Sequence, residues 1–150
     1  MTMEYSSLIA PVVALVAWSL VVMLWMVIAR FGEFRKAGIN LRDAPPGRRG
    51  VDLEGKIEAR AQWKSHNYNH LMEQPTIFYA IVLALALMGM DQPINVALAW
   101  GYVGLRIAHS IVQATINKIA IRFPLFALAS LCLLGLTVHA AARIIHDCLG

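Results

Sequence analysis

Residues 8–29 read LIAPVVALVAWSLVVMLWMVIA, 22 residues without a charge. As a helix rising ~1.5 Å per residue, this run covers the ~30 Å hydrocarbon core of a bilayer. A spanning strand would alternate polar and apolar residues over ~10 positions, and this run does not. It is too long for the core of a signal peptide, with no basic start and no small-residue cleavage pattern, so it is read as a retained helix.

Three further blocks repeat the theme. Residues 74–90 carry 17 uncharged positions, enough only if their helix continues back past Glu73. Residues 92–117 contain one formal charge, Arg106, and residues 123–142 contain none. The expected fold is therefore an all-α integral membrane four-helix bundle, one domain over residues 1–150. Its spans are expected at about 8–30, 68–90, 93–117 and 122–145, with a loop over about 31–65. Composition agrees. Of the 150 residues, 59% are apolar and 15% charged, against roughly 45–50% and about 25% in soluble domains. That excludes a disordered chain, a disulfide-stapled secreted module and an ordinary cytosolic enzyme. A net charge of +4 is too small and too localised to argue for nucleic acid.

The cations set the orientation. Nine Lys/Arg lie in residues 30–64, and Lys118 and Arg122 lie in the short link before the last span. With four spans these two links share one side. The positive-inside rule places them in the cytoplasm and both termini on the non-cytoplasmic side, in the inner membrane if the chain is bacterial. Within the loop, Asp43-Ala44-Pro45-Pro46-Gly47 and Gly50 punctuate a turn. From residue 51 to 70 the composition suits an exposed helix, with Asp52, Glu54 and Glu58 near its start. One long second helix is expected to rise from this loop into the membrane, kinked at Pro75. Cys132 and Cys148 are 16 residues apart, roughly 24 Å along one helix, so they do not bridge each other within it.

Polar residues inside the apolar helices carry the functional signal. Tyr102, Arg106, His109, Gln113 and Asn117 follow at steps of 4, 3, 4 and 4, which is one helical face. An intramembrane Arg costs ~2.5–3.5 kcal/mol on insertion scales, so it needs a partner or a wet cavity. The seam either zips helices together or lines a ligand site at the cytoplasmic end of the membrane. The second helix presents His66, Asn69 (or His70) and Glu73 at matching steps. Glu73 is the acid embedded near a span and Arg106 the mid-span base, and a structural ion pair between them, within one chain or between neighbouring chains, is expected to offset both desolvation costs. Arg122 precedes Phe123-Pro124, with Pro124 suited to a first helical turn. This Arg is either an interfacial anchor or a cation that lowers a thiol's pKa or holds a carboxylate. His66, His70, Glu73 and His109 form no HExxH pattern, and no metal site is expected. There is no nucleophile elbow, phosphate loop or dinucleotide fingerprint.

Residues 69–79, NHLMEQPTIFY, resemble the second-helix motif of the MAPEG family, the membrane-associated proteins in eicosanoid and glutathione metabolism. Arg106-Ile107-Ala108-His109, followed by Gln113 and by Arg122-Phe123-Pro124-Leu125-Phe126, resembles that family's later pattern. The resemblance implies a homotrimer of four-helix protomers that binds glutathione as co-substrate between protomers, near the cytoplasmic side. It implies conjugation, peroxide reduction or isomerisation of a lipophilic small molecule drawn from the membrane lipids. Carried over, Asn69, Glu73, His109 and Arg122 fall on glutathione-site positions, and Gln113 falls where several members have Tyr. Arg122 would be the catalytic residue, holding the thiolate. Arg106 would brace the site, with Arg30 and His66 as weaker candidates for glutathione contacts. The chain departs from enzymatic relatives where His66 and Asn69 stand near places that carry extra Arg, and where Phe123 follows the motif Arg. The resemblance thus implies a glutathione-dependent transferase or peroxidase, with a non-catalytic lipid-binding scaffold as the alternative. A proton-coupled exporter using Glu73 is disfavoured by that residue's expected cationic partner and its place near the membrane edge.

Overall fold

The computed structural model describes residues 6–43, 45–47 and 49–149. Four helices follow in order: α1 (Ile9–Lys36), α2 (Ala59–Leu87), α3 (Pro93–Thr115) and α4 (Ile119–Leu149). Two short 3₁₀ turns, Leu41–Asp43 and Gly50–Leu53, lie between α1 and α2. No strand occurs among the described residues. The fold is the all-α four-helix bundle expected from the apolar blocks. α1, α2 and α4 are long and apolar enough to cross a membrane. α3 has 23 residues, and Asn95, Arg106, His109 and Gln113 interrupt its apolar run.

Packing explains the arrangement. α3 lies most closely against α4, and α1 against α2, with α2 and α3 joining the two pairs. A Cβ on Gly101 would sit 3.4 Å from Cys132 Sγ, and one on Gly135 would sit 3.2 Å from Leu98 Cδ1. These two glycines let α3 and α4 approach closely, as small residues do between membrane helices. Leu15, Phe78, Val82, Tyr102 and Leu136 form the fully buried centre. The opposite faces are apolar as well: Val13, Leu20, Leu24 and Ile28 on α1, and Leu131, Leu134 and Val138 on α4, are exposed. A helix apolar on its outer face suits lipid or a neighbouring protomer rather than water.

The ends of the elements differ from expectation in three places. α1 continues six residues past Arg30 to Lys36, where Lys36 Nζ donates to Glu33 Oε1 at 2.6 Å. That bond holds the Glu33 carboxyl below its ordinary range. α2 begins at Ala59, not near Val51. Gly55 takes a φ of +75° in the left-handed region, and this turn stops the helix from extending back through the loop. The loop is accordingly residues 37–58, with Ala44 and Arg48 outside the described residues. α4 begins at Ile119, so Pro124 stands inside it rather than in its first turn. The proline has no N–H, and the Ala120 carbonyl loses its helical donor there. α3 ends where Asn117 adopts a φ of +55° and its N–H bonds the Val112 carbonyl at 2.7 Å. Asn tolerates the left-handed region better than most residues that carry a Cβ.

Candidate functional site

The polar seam of α3 faces inward. Tyr102 and Arg106 are fully buried, and His109 and Gln113 nearly so. Asn117, the fifth member, lies beyond the helix at its cap. Tyr102 stacks on Phe78 at 4.3 Å between centroids. Its hydroxyl donates to Gln74 Oε1 at 3.3 Å, and Gln74 Nε2 donates to Ser130 Oγ at 2.8 Å, so this part of the seam ties α2, α3 and α4 together. A second tie, unforeseen in the sequence, links α1, α2 and α3. Trp18 Nε1 and Asn67 Nδ2 both donate to Ser110 Oγ, at 3.0 and 2.8 Å.

Arg106 does not pair with Glu73 within the chain. Its Nη2 donates to the His70 carbonyl at 2.8 Å and lies 3.0 Å from His70 Nδ1. Its Cζ stands 5.9 Å from the Phe126 ring, while Nε and Nη1 find no partner. Glu73 is exposed. The reason is angular. Glu73 shares a stripe of α2 with His66 and Asn69, whereas the α2 edge that meets α3 here belongs to His70.

The remaining candidates separate into two clefts. The first is a cavity of about 390 Å³ beneath the loop, lined on its polar side by Arg30, Arg49, Glu54, Gln62, Ser65, His66 and Asn69. Gly50 covers Arg30 so closely that a Cβ there would run into Arg30 Nη2. His66 Nε2 lies 3.0 Å from Glu54 Oε1, fastening the loop to α2. Gln62 is 4% exposed and Ser65 3% exposed. Both amide atoms of Gln62, Ser65 Oγ and Arg30 Nε are buried without a hydrogen-bond partner. The second cleft, about 240 Å³, is lined by His70, His109, Ile119, Arg122, Phe123 and Phe126. A third, apolar cleft of about 240 Å³ between α1 and α2 meets the first at Tyr68, and Val16, Leu20, Met72 and Tyr79 line it.

Thus the fold gathers Arg30, His66 and Asn69 in one cleft and His109 and Arg122 in another. Gln113 is buried beside His109 on α3, its Oε1 without a partner. Glu73 continues the His66–Asn69 stripe toward the membrane. Sequence reasoning missed Gln62, Ser65 and Arg49 as lining residues and offered His70 only as the alternative to Asn69. The first two were legible: Gln62, Ser65, His66, Asn69 and Glu73 keep helical 3–4 spacing. Arg49 carried no such signal, because a loop residue has no period. Among the described residues no cluster of three metal-ligating side chains occurs.

No curated protein and no solved structure matches the chain. The model of the MAPEG family matches residues 8–142, which take in α1 to α3, most of α4 and both polar clefts. This chain belongs to the MAPEG family.

Proposed function

We propose that the protein is a glutathione-dependent transferase or peroxidase acting on lipophilic electrophiles at the membrane interface. One observation carries the reading. Four buried polar atoms without partners belong to Gln62, Ser65 and Arg30, three residues that line one cavity together with Arg49. Each such atom costs ~1–3 kcal/mol if left unsatisfied. A ligand with both an amide and carboxylates answers that set: guanidinium groups take carboxylates in forked geometry, and Gln62 both donates and accepts. Glutathione has those groups. Arg49, delivered by the loop, supplies the charge that enzymatic relatives draw from extra Arg on the second helix.

Glutathione supplies a thiolate nucleophile when bound. A free thiol has a pKa of about 8.5, and a neighbouring cation lowers it. Arg122, with Nε buried and without a partner, is the cation proposed to hold the thiolate. His109 and Gln113 orient the peptide from α3, and Asn69, Glu73 and His66 do so from α2. The two polar clefts are separate within the chain, and one ligand is proposed to reach both where protomers meet. This supports a homotrimer whose sites lie between neighbours. The apolar cleft at Tyr68 and Tyr79 admits the lipophilic electrophile laterally from the bilayer. All four helices are proposed to cross the membrane, with the basic loop cytoplasmic and both termini outside.

A glutathione titration of the purified protein, followed at the thiolate absorbance, tests the reading. Stoichiometric thiolate formation at neutral pH is expected. The apolar cleft supports a second reading, a lipid-binding scaffold without turnover. Lipid binding with no thiolate absorbance would favour that reading.

A further inference from the structure

We propose that His70 is a ligand-contacting residue, locked by Arg106 as the tautomer that carries its proton on Nε2, and that this N–H donates to the anionic sulfur held by Arg122. The proposal rests on the glutathione reading and adds to it a donor that the family resemblance did not point to.

The tautomer follows from the partners. Arg106 Nη2 lies 3.0 Å from His70 Nδ1 and donates to the His70 carbonyl at 2.8 Å. A guanidinium has donors only and keeps its proton in proteins. Nδ1 must therefore be the acceptor, which leaves the ring proton on Nε2. Two rings fix the plane. His109 stacks on His70 with centroids 4.9 Å apart and planes 20° from parallel, and Phe126 meets the His70 ring at 5.5 Å. Among the described residues Nε2 has no hydrogen-bond partner, and the ring lines the cleft that Arg122 borders. The cleft thus offers one oriented neutral N–H beside one cation, which is the arrangement that stabilises a localised anion.

The same geometry limits what His70 can do. A second proton would have to sit on Nδ1 and point at the Arg106 N–H. Loss of the Nε2 proton would leave an imidazolate. His70 is thus a fixed hydrogen-bond donor and takes no part in proton transfer. Arg106, which reaches the ligand only through His70, is a positioning residue. This gives the buried guanidinium a role within the chain, where it meets His70 rather than Glu73.

The experiment uses the full-length protein in detergent with glutathione as probe. His70→Phe is expected to lower the affinity for the thiolate form about ten- to a hundredfold, the usual effect of losing a hydrogen bond to a charged group. His70→Gln should recover most of it, since its amide nitrogen donates into the cleft while its oxygen accepts from Arg106. ¹⁵N spectra of histidine-labelled wild-type protein should show Nε2 protonated and Nδ1 bare at His70, and this assignment does not depend on any variant folding. The proposal is overturned if Nδ1 carries the proton, if His70→Phe keeps the wild-type thiolate absorbance, or if His70→Gln loses as much as His70→Phe. Absence of thiolate absorbance in the wild-type protein would overturn the glutathione reading and this proposal with it. Wild-type absorbance that survives in His70→Phe would overturn this proposal alone.

Discussion

Gly50 lacks a side chain where the Arg30 guanidinium needs the space. A Cβ at that position would meet the far end of a flexible side chain, not backbone. Gly50→Ala should therefore swing Arg30 aside at a stability cost within about 1 kcal/mol, the range of surface and loop substitutions. Glutathione affinity should nevertheless fall about tenfold, as the loss of one charge-assisted contact predicts. Calorimetric binding beside a thermal melt separates the two effects. Arg122 is expected to act on the chemistry instead. Coulomb attraction at ~4 Å and an effective dielectric near 20 is ~4 kcal/mol before screening, enough to move a thiol pKa by more than a unit. Arg122→Leu should lower turnover at neutral pH, and turnover should partly return as pH rises, because hydroxide then removes the thiol proton unaided. Arg122→Lys should lose less, since the charge stays while the fork goes. A flat pH profile across wild type and both variants would remove Arg122 from thiolate stabilisation. At Arg106 the hydrogen bonds set the expectation for a double-mutant cycle. Arg106→Leu should couple to His70→Phe by about 0.5–3 kcal/mol, whereas Arg106→Leu and Glu73→Gln should add.

α3 shows how one helix serves two demands. Its buried face carries Tyr102, Arg106, His109 and Gln113, while Gly101 lets α4 approach. Gly101→Leu should push the two helices apart and cost about 1–3 kcal/mol, as overpacking does. Gly104 has open space around a Cβ, so Gly104→Ala should stabilise the helix by up to about 1 kcal/mol through helix propensity. Thermal melts in detergent of both variants test this, and equal effects would mean that the α3–α4 approach does not depend on Gly101. The helix starts and stops were only partly legible. Pro93 at the head of α3 announces a start, whereas Pro124 misleads. In α4 the packing of the following turns outweighs the single hydrogen bond the proline removes.

Across the molecule, apolar surface faces outward on α1 and α4, and the cations gather at the loop and around the start of α4. A cysteine placed at the exposed Lys56 should resist a membrane-impermeant reagent applied from the outer side, while Cys148, also exposed, should react. Labelling of the Lys56 position from outside would sink the four-span orientation.

The class and the number of helices are legible in the order of residues alone. Long uncharged runs have one stable solution in a bilayer, where every backbone group must bond within its own helix. The polar face of α3 is legible there too, because helical period is a local property. The partner of that face was decided only by tertiary structure. Glu73 and Arg106 carry opposite charges near and within the spans, yet the rotation of α2 against α3 brings His70 to Arg106 and leaves Glu73 exposed. The enclosure of Gln62 and Ser65 beneath a loop that carries Arg49 was likewise decided there. Charge and period are written residue by residue, whereas a helix's rotation and a loop's path are set by how all the side chains pack together.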